Sequence, residues 1–298
     1  MVAAGALLAI GSVSAASLAD RGQLQLDDRS ILLWLLAAGT GLFLGGLVYA
    51  AVRQLRVRRH LPPERYRGPA VLLLLVLVMV VAGIATAPFG DDAVALVLGE
   101  GELSLAGAVV LLLSTQVALL LVSWLFVLRP GALAGWPSWS GGDAAAAVRA
   151  GLGWGVVAWV GSAAVSVVVV LVLEELGIGA DPQAAEQALM VIDPWLAVLA
   201  IVIVAPIAEE LFFRGVVFNA WLREGGARFA YLGSAALFAV IHLSLAAAVP
   251  IFLLGLALAW IYRRTGSLLA PIAMHTVVNG ISVGISLLVR FELLPMPA

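Results

Sequence analysis

The chain has 298 residues, of which 63% are hydrophobic and 11% charged, and its mean hydropathy is +1.11. A soluble domain carries about 45–50% apolar and about 25% charged residues, so a water-soluble globular protein is excluded, as is disorder, which needs low hydrophobicity and high charge. A net charge of −2 and a pI near 5.9 argue against a nucleic-acid partner, and the absence of cysteine excludes disulfides, thiolate nucleophiles and thiolate metal sites.

In chain order, residues 1–30 come first as an apolar segment and a short linker. Residues 1–19 are rich in small residues, with Ala-Ala and Leu-Ala steps like a signal-peptidase site, but they lack a basic start. A cleaved signal, an extra span and an over-called start all fit. A membrane-crossing helix needs about 20 apolar residues. The stretches 31–52, 70–90, 103–128, 150–173, 194–222, 229–244, 249–262 and 267–289 approach or meet that length. The run 229–262 is too long for one crossing and is split near Pro250, since proline interrupts the helical hydrogen-bond ladder. The expected fold class is therefore all-α, a polytopic membrane protein of about eight transmembrane helices, with residues 1–30 adding a signal peptide or a ninth span. Residues 31–190 carry no recognisable motif, and 191–298 hold the polar groups discussed below.

All 16 basic residues are arginines, a usage that fits a GC-rich bacterial genome. With the loop 53–69 placed in the cytoplasm, the inner loops hold Arg53, Arg56, Arg58, Arg59, Arg65, Arg67, Arg129, Arg149, Arg223, Arg228, Arg263 and Arg264, and the outer segments only Arg21, Arg29 and Arg290. The positive-inside rule then sets the orientation, and the expected location is a cell membrane with Arg-rich loops in the cytoplasm. Seven of the nine tryptophans, Trp221 among them, fall near segment ends where aromatic belts form; Trp154 and Trp159 lie deeper without a functional reading. The loop 130–142 is rich in Gly, Pro, Trp and Ser, and the acidic stretch 174–193 leaves room for a surface helix at 183–191.

Few ionisable groups are left at membrane depth: Glu209, Glu210, Arg214, His242 and His275, joined by Asn279. His60 belongs to the basic loop. A charge at the bilayer centre costs about 2.5–3.5 kcal/mol on insertion scales, so these groups are expected to face one another or a wet cavity. Glu210 and Arg214, Phe238 and His242, and His275 and Asn279 are each four residues apart, which puts each pair on one helix face. Counted from Arg223, Arg228 and Arg264, the three helices bring Glu209, His242 and His275 to about 21, 21 and 16 Å of depth at about 1.5 Å per residue. One shared site is expected. Ala205, Ala208, Gly215, Gly233, Ser234, Ala235, Ala239, Gly280 and Gly284 would allow close helix approach, and Pro206 would kink the helix beside the acid pair.

Three motifs carry a resemblance: Glu209-Glu210-Leu-Phe-Phe-Arg214 (E-E-x-x-x-R), Phe238-Ala-Val-Ile-His242 (F-x-x-x-H) and His275-Thr-Val-Val-Asn279 (H-x-x-x-N). In order and separation they resemble the CPBP family of intramembrane proteases, which includes the type II CAAX prenyl endopeptidases and bacterial bacteriocin-processing and immunity proteins. The resemblance covers residues 194–289, about a third of the chain. It implies an intramembrane endopeptidase acting on membrane-associated protein or peptide substrates. The residue types allow this: Glu209 as general base, His242 sharing or positioning the water, Arg214 pairing with Glu210, and His275 and Asn279 as oxyanion donors. No cofactor is required by that scheme. Zn²⁺ stays open, with Glu209, His242 and His275 as its ligands, although no H-E-x-x-H occurs.

Plainer readings stand beside these. The acid pair could be an ion relay, Arg214 purely structural, either histidine an interhelical hydrogen-bonding group, Asn279 an orienting partner of His275, and Phe238 a packing residue. A non-proteolytic protein of the same fold, a scaffold or immunity protein, is the first alternative function, and a proton-coupled transporter the second. No repeat of the polar stripes appears in the N-terminal half.

Overall fold

The computed structural model describes residues 70–90, 104–125, 143–177, 192–242 and 244–293. The N-terminal segment 1–30, the expected span 31–52, the basic loop with His60, the loop 130–142 and the expected helix at 183–191 lie outside the described residues. Within them every regular element is helical. They are α1 (Ala70–Thr86), α2 (Leu105–Ser123), α3 (Ala144–Glu175), α4 (Pro194–Ala197), a wide-turn segment π1 (Val198–Val204), α5 (Ala205–Glu210), a second wide-turn segment π2 (Leu211–Phe218), α6 (Asn219–Val240), α7 (Leu245–Thr265) and α8 (Leu269–Arg290). Six helical stretches among the described residues are long and apolar enough to cross a membrane, as a multi-pass membrane protein requires.

Side chains and glycine set the helix ends. Ser104 accepts from the Gly107 amide at 2.9 Å, Asp143 from Ala146 at 3.0 Å, and Asp193 from Trp195 and Leu196 at 2.9 and 3.3 Å. Each satisfies amides that a helix start leaves without a partner. Gly266 closes α7 in the left-handed conformation, φ 66°, behind Arg263 and Arg264 in the last turn.

The stretch Pro194–Val240 runs 47 residues, too long for one crossing. It is broken at Gly226, whose φ of 75° and ψ of −176° suit glycine alone. Ring pairs on either side show a reversal. Trp221 meets Phe229 (centroids 5.3 Å apart), Phe218 meets Tyr231 (5.2 Å) and Phe213 meets Phe238 (5.1 Å). As one number falls the other rises, so the two rods are antiparallel. The expected spans 194–222 and 229–244 are thus separate. Trp221 is buried in this hairpin, where its ring covers Gly233, and so is not a belt residue.

The division between the next two rods is not at Pro250. The chain turns at Ile241 and His242, Ser244 caps the new helix by accepting from Ala247 at 3.2 Å, and Pro250 sits within α7. A capped start one turn earlier outweighs the single amide that proline removes.

The N-terminal half joins the motif-bearing half through α3. A Cβ on Gly151 would collide with the Ala270 carbonyl oxygen, and one on Gly155 would lie 2.6 Å from Val277 Cβ. Only glycine allows α3 and α8 to approach this closely. Contacts advance together along both helices, so α3 and α8 run parallel. The expected close approach at Gly284 is absent, since nothing lies within 4 Å of its Cβ position. Gly255 does serve that purpose, since a Cβ there would lie only 3.0 Å from Ala235 Cα. The apolar core centres on π2 and its neighbours, with Phe212, Phe213, Phe218 and Phe238 fully buried.

Candidate active site

The acid pair ends α5, a six-residue helix between two wide-turn segments. Pro206 explains part of this. The Ala205 amide reaches back to the Ala200 carbonyl, and Pro206 has no amide to give. The Ile201 carbonyl is left without a helical partner. Asn279 supplies one, its Nδ2 donating to Ile201 O at 2.9 Å. Asn279 thus ties α8 to π1, and does not orient His275 through any bond in the structure.

Glu210 and Arg214 are fully buried. Arg214 Nη1 donates to Glu210 Oε1 at 3.0 Å, and Nη2 to the Gly255 carbonyl at 3.0 Å. A mid-helix carbonyl can accept this second bond because Gly255 and Ala235 let α7 in close. His275 Nδ1 lies 2.9 Å from the same Glu210 oxygen. An oxygen already accepting from arginine can only accept again, so His275 carries its proton on Nδ1. Its Nε2 then faces Glu209, with Oε2 3.9 Å away. That is beyond hydrogen-bond range, and Glu209 Oε2 is buried without a partner among the described residues.

Phe238 is the packing centre of the site. Its ring stands edge-on to Phe213, His242 and His275, at 5.1, 4.9 and 5.8 Å, and Arg214 Cζ lies 4.6 Å over its face. His242 lies in the turn after α6 and not on a helix face as the spacing suggested. Its Nδ1 is 2.7 Å from the Phe238 carbonyl, which can only accept. The Nε2 lone pair has no partner among the described residues.

Glu209, His242, His275 and Asn279 line one cavity of about 480 Å³ together with Phe238. Of the six residues expected at the site, four border the cavity and Glu210 and Arg214 lie behind it as a buried brace. Sequence reasoning missed the remaining polar groups and the one tryptophan of the wall: Gln116 on α2, Trp159, Ser162 and Ser166 on α3, and Ser282 and Ser286 on α8, set among apolar side chains. Trp159 Nε1 donates to Ser282 Oγ at 3.1 Å. The signal lay in the steps of four, Ser162 to Ser166 and Ser282 to Ser286, and in Gly151-x-x-x-Gly155.

Two histidines and two glutamates are ligand types that Zn²⁺ accepts. Among the described residues, however, no group of three or more His, Asp or Glu side chains is arranged to hold a metal ion. Glu210 Oε1 is committed to Arg214 and His275, and the Nδ1 atoms of His275 and His242 are committed to Glu210 and Phe238. As placed, Glu209, His242 and His275 do not form a three-ligand set.

Residues 191–281 match the family model described as type II CAAX prenyl endopeptidase Rce1-like. Over 104 residues the chain is 32% identical to a Bacillus subtilis (strain 168) protein named putative membrane peptidase YdiL. That alignment covers 35% of this chain and 43% of the relative, so the chain spans less than half the length of the curated relative it matches. No solved structure matches. The likeness to the CPBP proteases holds over the region that contains all six site residues.

Proposed function

We propose that this protein is an intramembrane endopeptidase that hydrolyses peptide bonds of membrane-associated substrates, with Glu209 as the general base. One observation carries the proposal: Glu209 lines one cavity with His242 and His275, and its buried Oε2, 3.9 Å from His275 Nε2, has no hydrogen-bond partner among the described residues. The gap is too wide for a direct hydrogen bond, so the Glu209 carboxylate is not committed to His275.

In this reading a water binds between Glu209 and Nε2 of His242. Glu209 takes one proton as the water oxygen bonds to the scissile carbonyl carbon, and the carbonyl electrons move to its oxygen. The second N–H of Asn279 stabilises the oxyanion, while His275, with its proton on Nδ1, turns a lone pair and not a donor toward Glu209. When the carbonyl re-forms, the C–N bond breaks and its electron pair stays on nitrogen. Glu209 returns its proton to that nitrogen, giving one new amine and one new carboxyl group. Glu210 and Arg214 touch no reacting atom; they hold His275 and close α5, π2 and α7 together. Protein groups and water supply the whole reaction, and a cell membrane with cytoplasmic arginine loops is the proposed setting.

Comparative terminal proteomics of membranes from wild-type and Glu209→Ala cells tests the proposal. Uncut precursors should accumulate in the variant, and again in His242→Ala, with both variants still inserted. A phenotype fully rescued by Glu209→Ala would favour a scaffold or immunity role instead.

A further inference from the structure

We propose that the bay formed by Gln116, Ser162, Ser166, Ser282 and Ser286 binds the extended backbone of a substrate polypeptide and holds an unwound segment of it against Glu209. The inference rests on the hydrolytic reading of the same cavity.

The wall has a direction. On α8, His275, Asn279, Ser282 and Ser286 follow in steps of four, three and four, which is one helix face. On α3, Trp159, Ser162 and Ser166 do the same, and Gln116 faces in from α2. A line of neutral polar groups therefore starts at His275 and continues along both helices. The glycine contact of Gly151 and Gly155 pins α3 to α8 below this line, and the Trp159–Ser282 bond pins them at its start.

Apart from Ser282 Oγ, which accepts from Trp159 Nε1, the polar groups of the bay are not consumed by the protein. Gln116 Oε1 is buried without a partner, and among the described residues no hydrogen bond occupies the hydroxyls of Ser162, Ser166 or Ser286. Nor is the space needed by the attacking water, which takes about 30 Å³ of liquid, against a cavity of about 480 Å³.

The chemistry fits an unwound backbone. A helical peptide bond has its carbonyl committed four residues on and screened by side chains, so hydrolysis requires local unwinding. At membrane depth each freed amide and carbonyl costs several kcal/mol unless it finds a partner. Serine hydroxyls both donate and accept, and a glutamine amide offers each function, so such a wall can satisfy amides and carbonyls without regard to substrate side chains. The five bay residues bear no charge, which disfavours an ionic ligand.

The test uses the full-length Glu209→Ala protein in lipid nanodiscs and a pool of fluorescent apolar decapeptides with a central Gly-Ser. The pool should bind. Joint replacement Ser162→Val, Ser166→Val and Ser286→Val should weaken binding at least tenfold, the matching triple Thr variant should restore it, and N-methylation of the peptide backbone should weaken it to the same degree. If the Val triple does not fold, the Ala triple should show the same loss. Binding within twofold in a folded hydroxyl-free triple, equal binding of the N-methylated pool, or no binding by the parent would each overturn the bay. In a separate arm, protein with Glu209 intact is given the pool in internally quenched form. Serine-dependent binding without cleavage removes the hydrolytic reading but leaves the bay. Cleavage with a KM indifferent to the serines removes the bay but leaves hydrolysis.

Discussion

His275 Nδ1 lies 2.9 Å from Glu210 Oε1, a bond that joins α8 to the end of α5 across 65 residues of sequence. Because Arg214 donates to the same oxygen, Glu210 is fixed from two sides and takes its neighbour's histidine with it. The adjacent carboxylate, Glu209, is left on the cavity side with one oxygen free. Two adjacent acids, about 100° apart around one helix, thus receive different surroundings although the same histidine lies near both.

That brace is testable through Arg214. Removing one partner of a buried ion pair typically costs about 3–5 kcal/mol, because the other charge is left buried. Arg214→Met should lower the unfolding midpoint in detergent by a matching amount. Arg214→Lys should fall between, since one ammonium cannot serve both Glu210 and the Gly255 carbonyl at their present positions. A midpoint for Arg214→Met equal to the wild type would show that the brace carries no stability.

Asn279 and Pro206 should be coupled. Asn279→Ala leaves the Ile201 carbonyl without a donor, at a cost of about 1–3 kcal/mol. Pro206→Ala restores an amide beside that carbonyl and should recover part of the loss. Unfolding of the two single variants and the double variant measures this as an interaction energy, expected at about 0.5 kcal/mol or more. Strict additivity would mean that the missing proline amide is not what Asn279 compensates.

The α3–α8 contact predicts a sharp positional contrast. Gly155→Val forces a side chain into Val277 and should destabilise by about 1–3 kcal/mol, as overpacking does. Gly153→Ala, with nothing within 4 Å of its Cβ position, should be neutral or slightly stabilising. Thermal unfolding of both variants decides, and equal effects would contradict the close approach.

How much of this was legible beforehand differs by residue. Glu209, Glu210, Arg214 and His275 stood out because charge is expensive in hydrocarbon, and their spacing told which faces they share. The hairpin at Gly226 could be read from the two arginine-flanked apolar runs around it. The turn at His242 could not, because Ser244 capping and Pro250 interruption compete over six residues and hydropathy does not rank them. The Asn279–Ile201 bond was hidden because one partner is a backbone carbonyl whose vacancy depends on wide turns. Ser162, Ser166 and Ser286 escaped notice because hydroxyls barely alter hydropathy, and Gly151 and Gly155 because small residues abound in this chain.

The arrangement of the histidines also predicts the response to chelation. With no three-ligand set among the described residues, hydrolysis should persist after treatment with EDTA and 1,10-phenanthroline, and purified protein should hold far less than one zinc per chain. Elemental analysis alongside an activity assay gives the answer. Stoichiometric zinc with chelator-sensitive cleavage would require Glu209, His242 and His275 to move together.

The most direct measurement is single-turnover cleavage by purified Glu209→Gln protein, compared with wild type on a substrate identified by proteomics. Glutamine keeps the shape of the side chain and removes the base. The rate should fall by about 10²–10⁴-fold, the usual contribution of a general base, while substrate affinity changes little. A cleavage rate within a few-fold of wild type would show that Glu209 does not activate the water.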